Sequence, residues 1–215
     1  MRSFHDVVAG RSAFWSFIAG WFKPRRNRQL VEWTISLLDL QPTDRVLEIG
    51  SGSGVAVQLA ARCCTLGLIA GVESDASLVR RARKRNALHM TYGRVFIREG
   101  SVSNLPYPDR SFDKVFSINS VQAWPSQLGD LKELRRVLRP DGKLFIVRQP
   151  WGAKSRREKD QMREDIQQRL PQQIALAGFD VVGKEVRVMT PVSAYCIVGS
   201  KIPATARQSI AAVGG

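Results

Sequence analysis

The residues best suited to chemistry lie in one short stretch, where a strand-like run meets a series of glycines. Residues 46–49 (VLEI) are typical of a buried strand and include the acidic Glu48, and glycines follow at alternate positions in 50–54. A turn of small residues lets the backbone approach a ligand closely and enter a helix at once. The pattern therefore predicts a ligand that packs against bare backbone and offers a cationic or zwitterionic group to Glu48.

A dinucleotide site is the first alternative for such a turn. Its fingerprint has a third glycine three positions after the second, and Val55 occupies that position here. A pyrophosphate also favours an uncluttered helix N-terminus, whereas Glu48 would face it with like charge. Both features disfavour an NAD-dependent dehydrogenase.

A second acidic residue follows at the interval that a nucleoside site requires. Residues 68–73 (LIAGVE) are typical of a short apolar strand that ends in Glu73. This acid follows the glycine turn by roughly twenty residues, where a Rossmann-like sheet places a carboxylate for ribose hydroxyls. The two oxygens of one carboxylate can accept hydrogen bonds from both hydroxyls. Asp75 is predicted to be the N-cap of the next helix, with a ligand contact as the alternative.

Four ordered segments resemble the class I S-adenosylmethionine-dependent methyltransferases. Residues 46–54 resemble the family's first motif, and 71–75 (GVESD) resemble its G-V-[DE]-x-S segment. Residues 105–116 (LPYPDRSFDKVF) and 134–144 (LRRVLRPDGKL) resemble two later motifs, and the whole resemblance covers about 28–200. It implies an α/β fold: a Rossmann-like, doubly wound, seven-stranded and mostly parallel sheet with helices on both faces and an antiparallel last strand pair.

The same resemblance implies S-adenosylmethionine as the cofactor. In the family the glycine turn cradles the methionine end, whose sulfonium is a cation, and an acidic side chain contacts adenine. Ser101 stands where that acid is usual and offers only one short hydroxyl, so Val102 is expected to hold adenine by its backbone and packing. The predicted cofactor-binding residues are Glu48, Gly50, Ser51, Gly52, Gly54, Glu73, Ser74, Ser101, Val102 and Asn119.

The methyl acceptor leaves a weaker signal in the sequence. Methyl transfer from a sulfonium is an in-line displacement that requires alignment and exclusion of water. Asn119, Gln122 and Trp124 follow a predicted strand at its ligand-facing end. Asn119 is expected either to orient a polar acceptor or to hold a turn, and Trp124 either to form a pocket wall or to pack in the core. Gln122 and Trp124 are predicted substrate residues.

A general base is needed only if the acceptor loses a proton as it attacks. His5, beside Asp6, is a candidate base that could reach the pocket from an N-terminal lid, and Asn119 is the other weak catalytic candidate. Tyr195 and Arg148 are further candidates for the substrate side. The N/D-P-P-Y signature of nucleic-acid amino methyltransferases is absent, which favours a small-molecule acceptor.

Alternating strand and helix signals organise the chain around these motifs. Strands are predicted at 45–49, 68–73, 94–98, 113–118, 143–148, 180–188 and 193–199. Helices are predicted at 54–63 and 76–88, at a leucine-marked segment that Pro140 and Gly142 close, and at a charged segment broken or restarted at Pro171. Such alternation implies a mostly parallel sheet with helices on both faces.

The length of 215 residues suits one main domain with a sizeable core. We expect a lid or docking segment at 1–27, the S-adenosylmethionine-binding domain at 28–202 and a disordered tail at 203–215. The aromatic run at 14–22 is predicted to form a lid or pack in the core, with peripheral membrane contact as the alternative.

The formal net charge of +14 concerns partners rather than fold. Basic clusters at 80–85 and 154–159 are interpreted as solvated helix faces, with an anionic substrate, a membrane surface or nucleic acid as alternatives. Three cysteines form neither a disulfide framework nor a zinc pattern, so no metal site is predicted and a cytoplasmic location is expected. The leading interpretation is a small-molecule methyltransferase. The alternatives are an enzyme acting on RNA or an anionic lipid, or a non-catalytic S-adenosylmethionine-binding protein.

Overall fold

The computed structural model describes residues 24–151 and 155–201. The strands are β1 Arg45–Ile49, β2 Leu68–Glu73, β3 Val95–Glu99, β4 Phe112–Ile118, β5 Leu138–Arg148, β6 Asp180–Arg187 and β7 Ala194–Ser200. They form one sheet in the order β3-β2-β1-β4-β5-β7-β6. The first five strands pair in parallel, and β7 pairs antiparallel with both β5 and β6. The predicted seven-stranded sheet with an antiparallel last pair is confirmed.

Helices cover both faces of this sheet. They are α1 Pro24–Leu37, α2 Val55–Cys63, α3 Ala76–Arg85, α4 Ala87–Thr91, α5 Gln127–Val137, α6 Arg156–Glu164 and α7 Leu170–Leu176. Successive strand residues point to opposite faces, so Val46 joins an apolar layer with α1, α2 and α3, while Leu47 joins one with α5 and α7. Two buried layers, one on each face, make the sheet doubly wound, as predicted. No described helix is long and apolar enough to cross a membrane.

Two predicted boundaries are wrong, because contacts with segments distant in the sequence set them. The helix predicted at 76–88 stops at Arg85, because the side chain of buried Asn86 donates to the carbonyl oxygens of Ala82 and Gly54 at 2.9 and 3.0 Å. The strand predicted from 143 already begins at Leu138, which pairs with Phe112. Its register then shifts at a bulge around Pro140, which has no N–H for the ladder.

The charged helical segment after β5 is interrupted by a π-helical turn and continues as an α-helix at Leu170, next to Pro171. A π-helical turn at Asp165–Arg169 joins α6 to α7, and Pro171 lies in the first turn of α7, where its missing N–H costs no hydrogen bond. This agrees with the predicted restart at Pro171. Ile166 and Leu170 are buried, and α7 packs against β6 and β7, so the segment covers the sheet despite its charge.

Candidate active site

The glycine turn joins β1 to α2 and brings three structural elements close together. Gly50 and Gly54 both have left-handed backbones, with φ of 72° and 76°. A Cβ on Gly50 would lie 2.6 Å from the Cβ of Ser120, in the segment after β4, and a Cβ on Gly54 would lie 2.6 Å from the Nδ2 of Asn86, after α3. The turn therefore depends on glycine both for its conformation and for its contacts.

Glu73, the last residue of β2, presents its carboxylate at the pocket and ties the glycine turn to β2. Its Oε2 accepts a hydrogen bond from the backbone N–H of Gly52 at 2.9 Å, and its Oε1 accepts from those of Ser74 and Asp75 at 2.8 and 3.0 Å. These bonds fix the orientation of a buried carboxylate. The Ser74 hydroxyl also donates to Oε1, at 3.4 Å. Oε2 accepts only the Gly52 bond from the described residues, so it is the oxygen that retains acceptor capacity toward a ligand.

Glu48 lies beneath the turn rather than in the pocket wall. It is 2% exposed, and its Oε2 has no hydrogen-bond partner among the described residues. Burial, and secondarily the charge of Glu73, raise the pKa of Glu48 well above its ordinary value, and a hydrogen bond from the Val57 N–H acts in the opposite direction. The carboxyl group therefore lies buried beside the first turn of α2, beneath the glycine turn.

A pocket of about 180 Å³ opens across the carboxyl ends of β1, β2 and β4. The sheet order reverses direction between β1 and β4, which is the switch point where ligands bind in open α/β sheets. The predicted residues that line this pocket are Gly50, Gly52, Glu73, Ser74, Ser101, Val102, Asn119 and Trp124. Glu48, Ser51, Gly54 and Gln122 do not line it, and His5 lies outside the described residues.

The residues that do not line the pocket have identifiable positions. Ser51 is buried, with its Oγ unpartnered among the described residues, and a Cβ on Gly71 of β2 would lie 3.0 Å from the Ser51 Cβ. Gln122 is exposed, and its Nε2 donates to the carbonyl oxygen of Asn119 at 2.7 Å. Asp75 is the N-cap of α3, as predicted, since its Oδ1 accepts from the backbone N–H groups of Ser77 and Leu78.

The β4 side of the pocket is held by a hydrogen-bonded group of side chains. The Ser120 hydroxyl donates to the carbonyl oxygen of Ile49 at 3.0 Å and lies 2.6 Å from the Ser117 hydroxyl. The Nε1 of Trp124 donates to the same Ser120 oxygen at 3.2 Å. A hydroxyl has one donor and two acceptor positions, so Ser120 is fully occupied and fixes the Trp124 ring against the pocket.

Asn119 combines a structural and an exposed polar group. Its φ of 53° is left-handed, and its Oδ1 accepts from the backbone N–H of Gln149 at 2.7 Å. Its side-chain N–H₂ donates to no described residue, and Asn119 lines the pocket. The turn role and the ligand-facing role, which the sequence left as alternatives, therefore coexist on different atoms.

Sequence reasoning missed Ser120 and Leu78, which both line the pocket. A small residue directly after Asn119 was a signal for Ser120, since only a small side chain fits against the Gly50 backbone. Leu78 lies in the first turn of α3, so the predicted N-cap at Asp75 already placed it near the end of β2. The lining is otherwise apolar on this side, through Val72, Leu78 and Val102.

The basic cluster on α3 is partly structural. Arg83 donates to the carbonyl oxygen of Ile97 in β3, and Arg85 donates to that of Ser53 in the glycine turn. Arg80, Arg81 and Lys84 are exposed. Within the described ranges, no salt bridge involves α3. The prediction of a solvated face therefore fits these three residues, while Arg83 and Arg85 hold neighbouring backbone.

Fold and pocket together define a Rossmann-like protein with a nucleoside-sized site at its switch point, lined by backbone, one carboxylate and apolar side chains. The comparisons with known proteins agree. The Methyltransferase domain family model matches residues 47–146. The putative methyltransferase YrhH of Bacillus subtilis is 32% identical over 136 residues, which are 63% of this chain and 73% of that protein. The chain belongs to the S-adenosylmethionine-dependent methyltransferase family, and it is an enzyme of that class.

Other relatives extend the match over most of the chain. The uncharacterized methyltransferase YdaC of Bacillus subtilis is 28% identical over 188 residues, covering 87% of this chain and 99% of that protein. The ubiquinone/menaquinone biosynthesis C-methyltransferase of Geotalea daltonii is 24% identical, and the match covers 68% of this chain and 62% of that enzyme. An S-adenosylmethionine-dependent methyltransferase from Aquifex aeolicus has the same fold, with a TM-score of 0.68 and 17% identity over 80% of this chain and 89% of its own.

The residues of this pocket fit S-adenosylmethionine, the cofactor of the family. The glycine turn supplies a wall without side chains, and Glu73 offers carboxylate oxygens beside it. Val72, Leu78 and Val102 supply an apolar surface for a purine. The unpartnered oxygen of Glu48 also leaves acceptor capacity beneath the turn.

Proposed function

We propose that this enzyme transfers the methyl group of S-adenosylmethionine to a small-molecule acceptor. The observation that carries the proposal is a single pocket that runs from Glu73 to Asn119 and Trp124. This span joins the place for a nucleoside to a place for a second ligand at the switch point. The quinone biosynthesis methyltransferase among the relatives is named for a small-molecule pathway, which supports the same class of acceptor.

Each pocket residue receives a role from its position. The Glu73 carboxylate would accept hydrogen bonds from the ribose hydroxyls, and the backbone at Gly50 and Gly52 would hold the methionine end. Val102 and Leu78 would pack on adenine, while Ser74 and Ser101 offer hydroxyls at the rim. Ser51 and Gly54 would act indirectly, by shaping the turn.

S-adenosylmethionine, when bound, supplies a methyl group on an already activated sulfonium. The protein must therefore align the acceptor and exclude water. Trp124, fixed by Ser120, would form one wall of the acceptor space. The free N–H₂ of Asn119 would donate a hydrogen bond to a polar acceptor atom. Neither group is suited to remove a proton, so we propose that positioning, rather than a described general base, carries the reaction.

The state of the cysteines is consistent with a reducing compartment, and we propose a cytoplasmic location. The cysteines Cys63, Cys64 and Cys196 are all free thiols, and two of them are buried. Burial raises the pKa of both Cys64 and Cys196 to about 12, which keeps them as unreactive thiols.

The test uses S-adenosylmethionine labelled in its methyl group, incubated with the enzyme and a small-molecule extract of cells. We expect label in a product of low molecular mass, which mass spectrometry then identifies. Protein-free RNA and lipid fractions serve as separate acceptors in parallel. Label that enters only RNA or only lipid would contradict the small-molecule assignment, and cofactor binding with no transfer to any fraction would favour a non-catalytic role.

A further inference from the structure

Arg148 is the last residue of β5 and lies at the sheet edge where the pocket opens. β5 runs parallel to β4, and Asn119 of the pocket wall follows β4 directly. The Asn119 Oδ1 accepts from the backbone N–H of Gln149, so Arg148 is one residue away from a direct contact with that wall. Arg148 does not itself line the pocket, so it lies next to the acceptor end of the pocket, beyond Asn119.

Arg148 shares one face of the sheet with Tyr195. The two residues are opposite each other in the antiparallel pairing of β5 with β7, and opposed residues point to the same face. Ile146 and Ile197, the equivalent pair further along the strands, belong to the apolar layer under α7. Because alternate residues share a face, Arg148 and Tyr195 lie on that side, at its pocket end.

The guanidinium of Arg148 is partly buried and has no hydrogen-bond or ion-pair partner within 28–151 and 155–201. Burial lowers the pKa of Arg148, and the nearby charge of Asp165 acts against that effect. The Asp165 Oδ1 already accepts from Arg169 at 3.2 Å. Arginine stays charged in proteins. The partly buried cation of Arg148 would therefore be stabilised by an anion bound beside it.

The remaining sequence offers little to neutralise this cation. Outside the described residues the chain contains one acidic residue, Asp6. The Tyr195 hydroxyl also donates to no described residue, and it is not among the buried polar atoms that lack a partner. A phenolic donor and a planar guanidinium on one face are groups that recognise carboxylate or phosphate oxygens.

We propose that Arg148, assisted by the hydroxyl of Tyr195, binds an oxyanion of the methyl acceptor, so that the acceptor is a small carboxylate or phosphate. This inference rests on the proposed methyl transfer, because it assigns the second ligand of the same site. It also gives part of the chain's excess positive charge a specific use, distinct from the exposed basic face of α3.

The test measures binding of three probes that share one alkyl chain: hexanoate, hexyl phosphate and hexanamide. Calorimetric titrations are made with and without S-adenosylhomocysteine. We expect hexanoate or hexyl phosphate to bind at least about tenfold more tightly than neutral hexanamide, because hydrogen bonds to charged groups exceed neutral ones. The better of the two anions distinguishes a carboxylate acceptor from a phosphate acceptor.

Variants test whether the preference for the anionic probes depends on Arg148 and Tyr195. Arg148→Met should remove the anion preference, Arg148→Lys should retain part of it, and Tyr195→Phe should weaken it by a few-fold. Arg187→Gln, which removes an exposed cation from the adjacent β6, is the matched control and should leave the preference unchanged. A cooperative thermal unfolding transition shows that each variant is folded.

Two results would overturn the proposal. One is a wild-type protein that binds both anions no better than hexanamide, and the other is an Arg148→Met variant that keeps the wild-type preference. Binding of S-adenosylmethionine is measured separately. If that binding fails while the anion preference follows Arg148, the proposed methyl transfer is wrong and the anion site stands.

Discussion

The two halves of the site lie at the same edge of the sheet but are built from different groups. On the donor half, after β1 and β2, the ligand surface is mostly backbone, and Glu73 is held by backbone N–H groups. On the acceptor half, after β4, the ligand surface is formed by side chains: Ser120 accepts from the Trp124 ring and donates to the backbone of Ile49, and Asn119 accepts from the backbone of Gln149. A backbone surface restricts which residues can occupy the turn, whereas a side-chain surface can be rebuilt with many combinations. The donor half therefore leaves a readable motif and the acceptor half does not.

The largest expected effect tests the backbone constraint of the donor half. Gly54→Ala combines a φ of 76° with a 2.6 Å contact to Asn86 and a 2.9 Å contact to Ala82. Left-handed strain plus overpacking should lower the free energy of unfolding by about 2–4 kcal/mol. Urea denaturation measures this loss. Gly93→Ala, with a similar φ of 68° and nothing within 4 Å, is the control and should lose only about 1–2 kcal/mol. Equal losses in the two variants would show that packing against α3 is unimportant.

The next prediction concerns Glu48, the acid beneath the turn. Its pKa in the folded protein is raised above the ordinary 4.5, chiefly by burial, so its protonated form is favoured on folding. Its contribution to stability is therefore fully present below about 4.5 and is lost as pH rises toward the raised value. Glutamine does not ionise, so Glu48→Gln avoids this loss. The melting temperature of the variant minus that of the wild type should therefore increase as pH rises from 4 to 8.

Glu133→Gln supplies a control of opposite sign. A hydrogen bond from Arg136 is the main cause of the lowered pKa of Glu133. Its stabilising contribution is present above the ordinary value and is lost as pH falls through the lowered one. This variant should therefore be less stable than wild type at neutral pH and approach it in acid. A Glu48→Gln difference that does not change with pH would mean that this carboxyl is not desolvated.

A smaller effect, on the affinity for S-adenosylmethionine, is expected at Ser101 in the donor half. Ser101→Asp restores the acid that the family usually has at this position, beside a pocket that Ser101 lines. One added charge-assisted hydrogen bond to adenine should tighten S-adenosylmethionine binding by about tenfold. Ser101→Ala should weaken it by a few-fold at most, because a neutral hydroxyl offers only one short hydrogen bond to the cofactor. Weaker binding by the aspartate variant would place adenine elsewhere.

The smallest effect belongs to the acceptor half. Gln122 is exposed and does not line the pocket, and among the described residues its side chain donates only to the carbonyl oxygen of Asn119. Gln122→Ala should therefore change stability by less than about 0.5 kcal/mol and leave the cofactor affinity at the wild-type value. A large loss of methyl transfer with normal cofactor binding would restore Gln122 as a substrate residue.

The same contrast explains what the sequence could and could not predict. The strand positions, the glycine turn and Glu73 follow from local patterns, because each is fixed by backbone geometry and burial. The seven-stranded sheet with its antiparallel last pair was expected from the family resemblance. The helix break at Asn86 depends on a side-chain hydrogen bond to Gly54, and the early start of β5 depends on the pairing of Leu138 with Phe112. Both join segments that are distant in the sequence, which no local pattern records. Ser120 was missed for the same reason, since its role appears only when β4 and the turn lie side by side.

We propose that Glu73 and the glycine turn form the S-adenosylmethionine site. Isothermal titration of the wild type, Glu73→Ala and Glu99→Ala with S-adenosylmethionine tests this assignment. Glu99 is the matched control, because it pairs with Glu73 in register on β3 but is exposed and outside the pocket. We predict saturable binding by the wild type, unchanged affinity in Glu99→Ala, and a loss of about ten- to hundredfold in Glu73→Ala. A wild type that does not bind S-adenosylmethionine, or a folded Glu73→Ala variant that binds it equally well, would contradict the account.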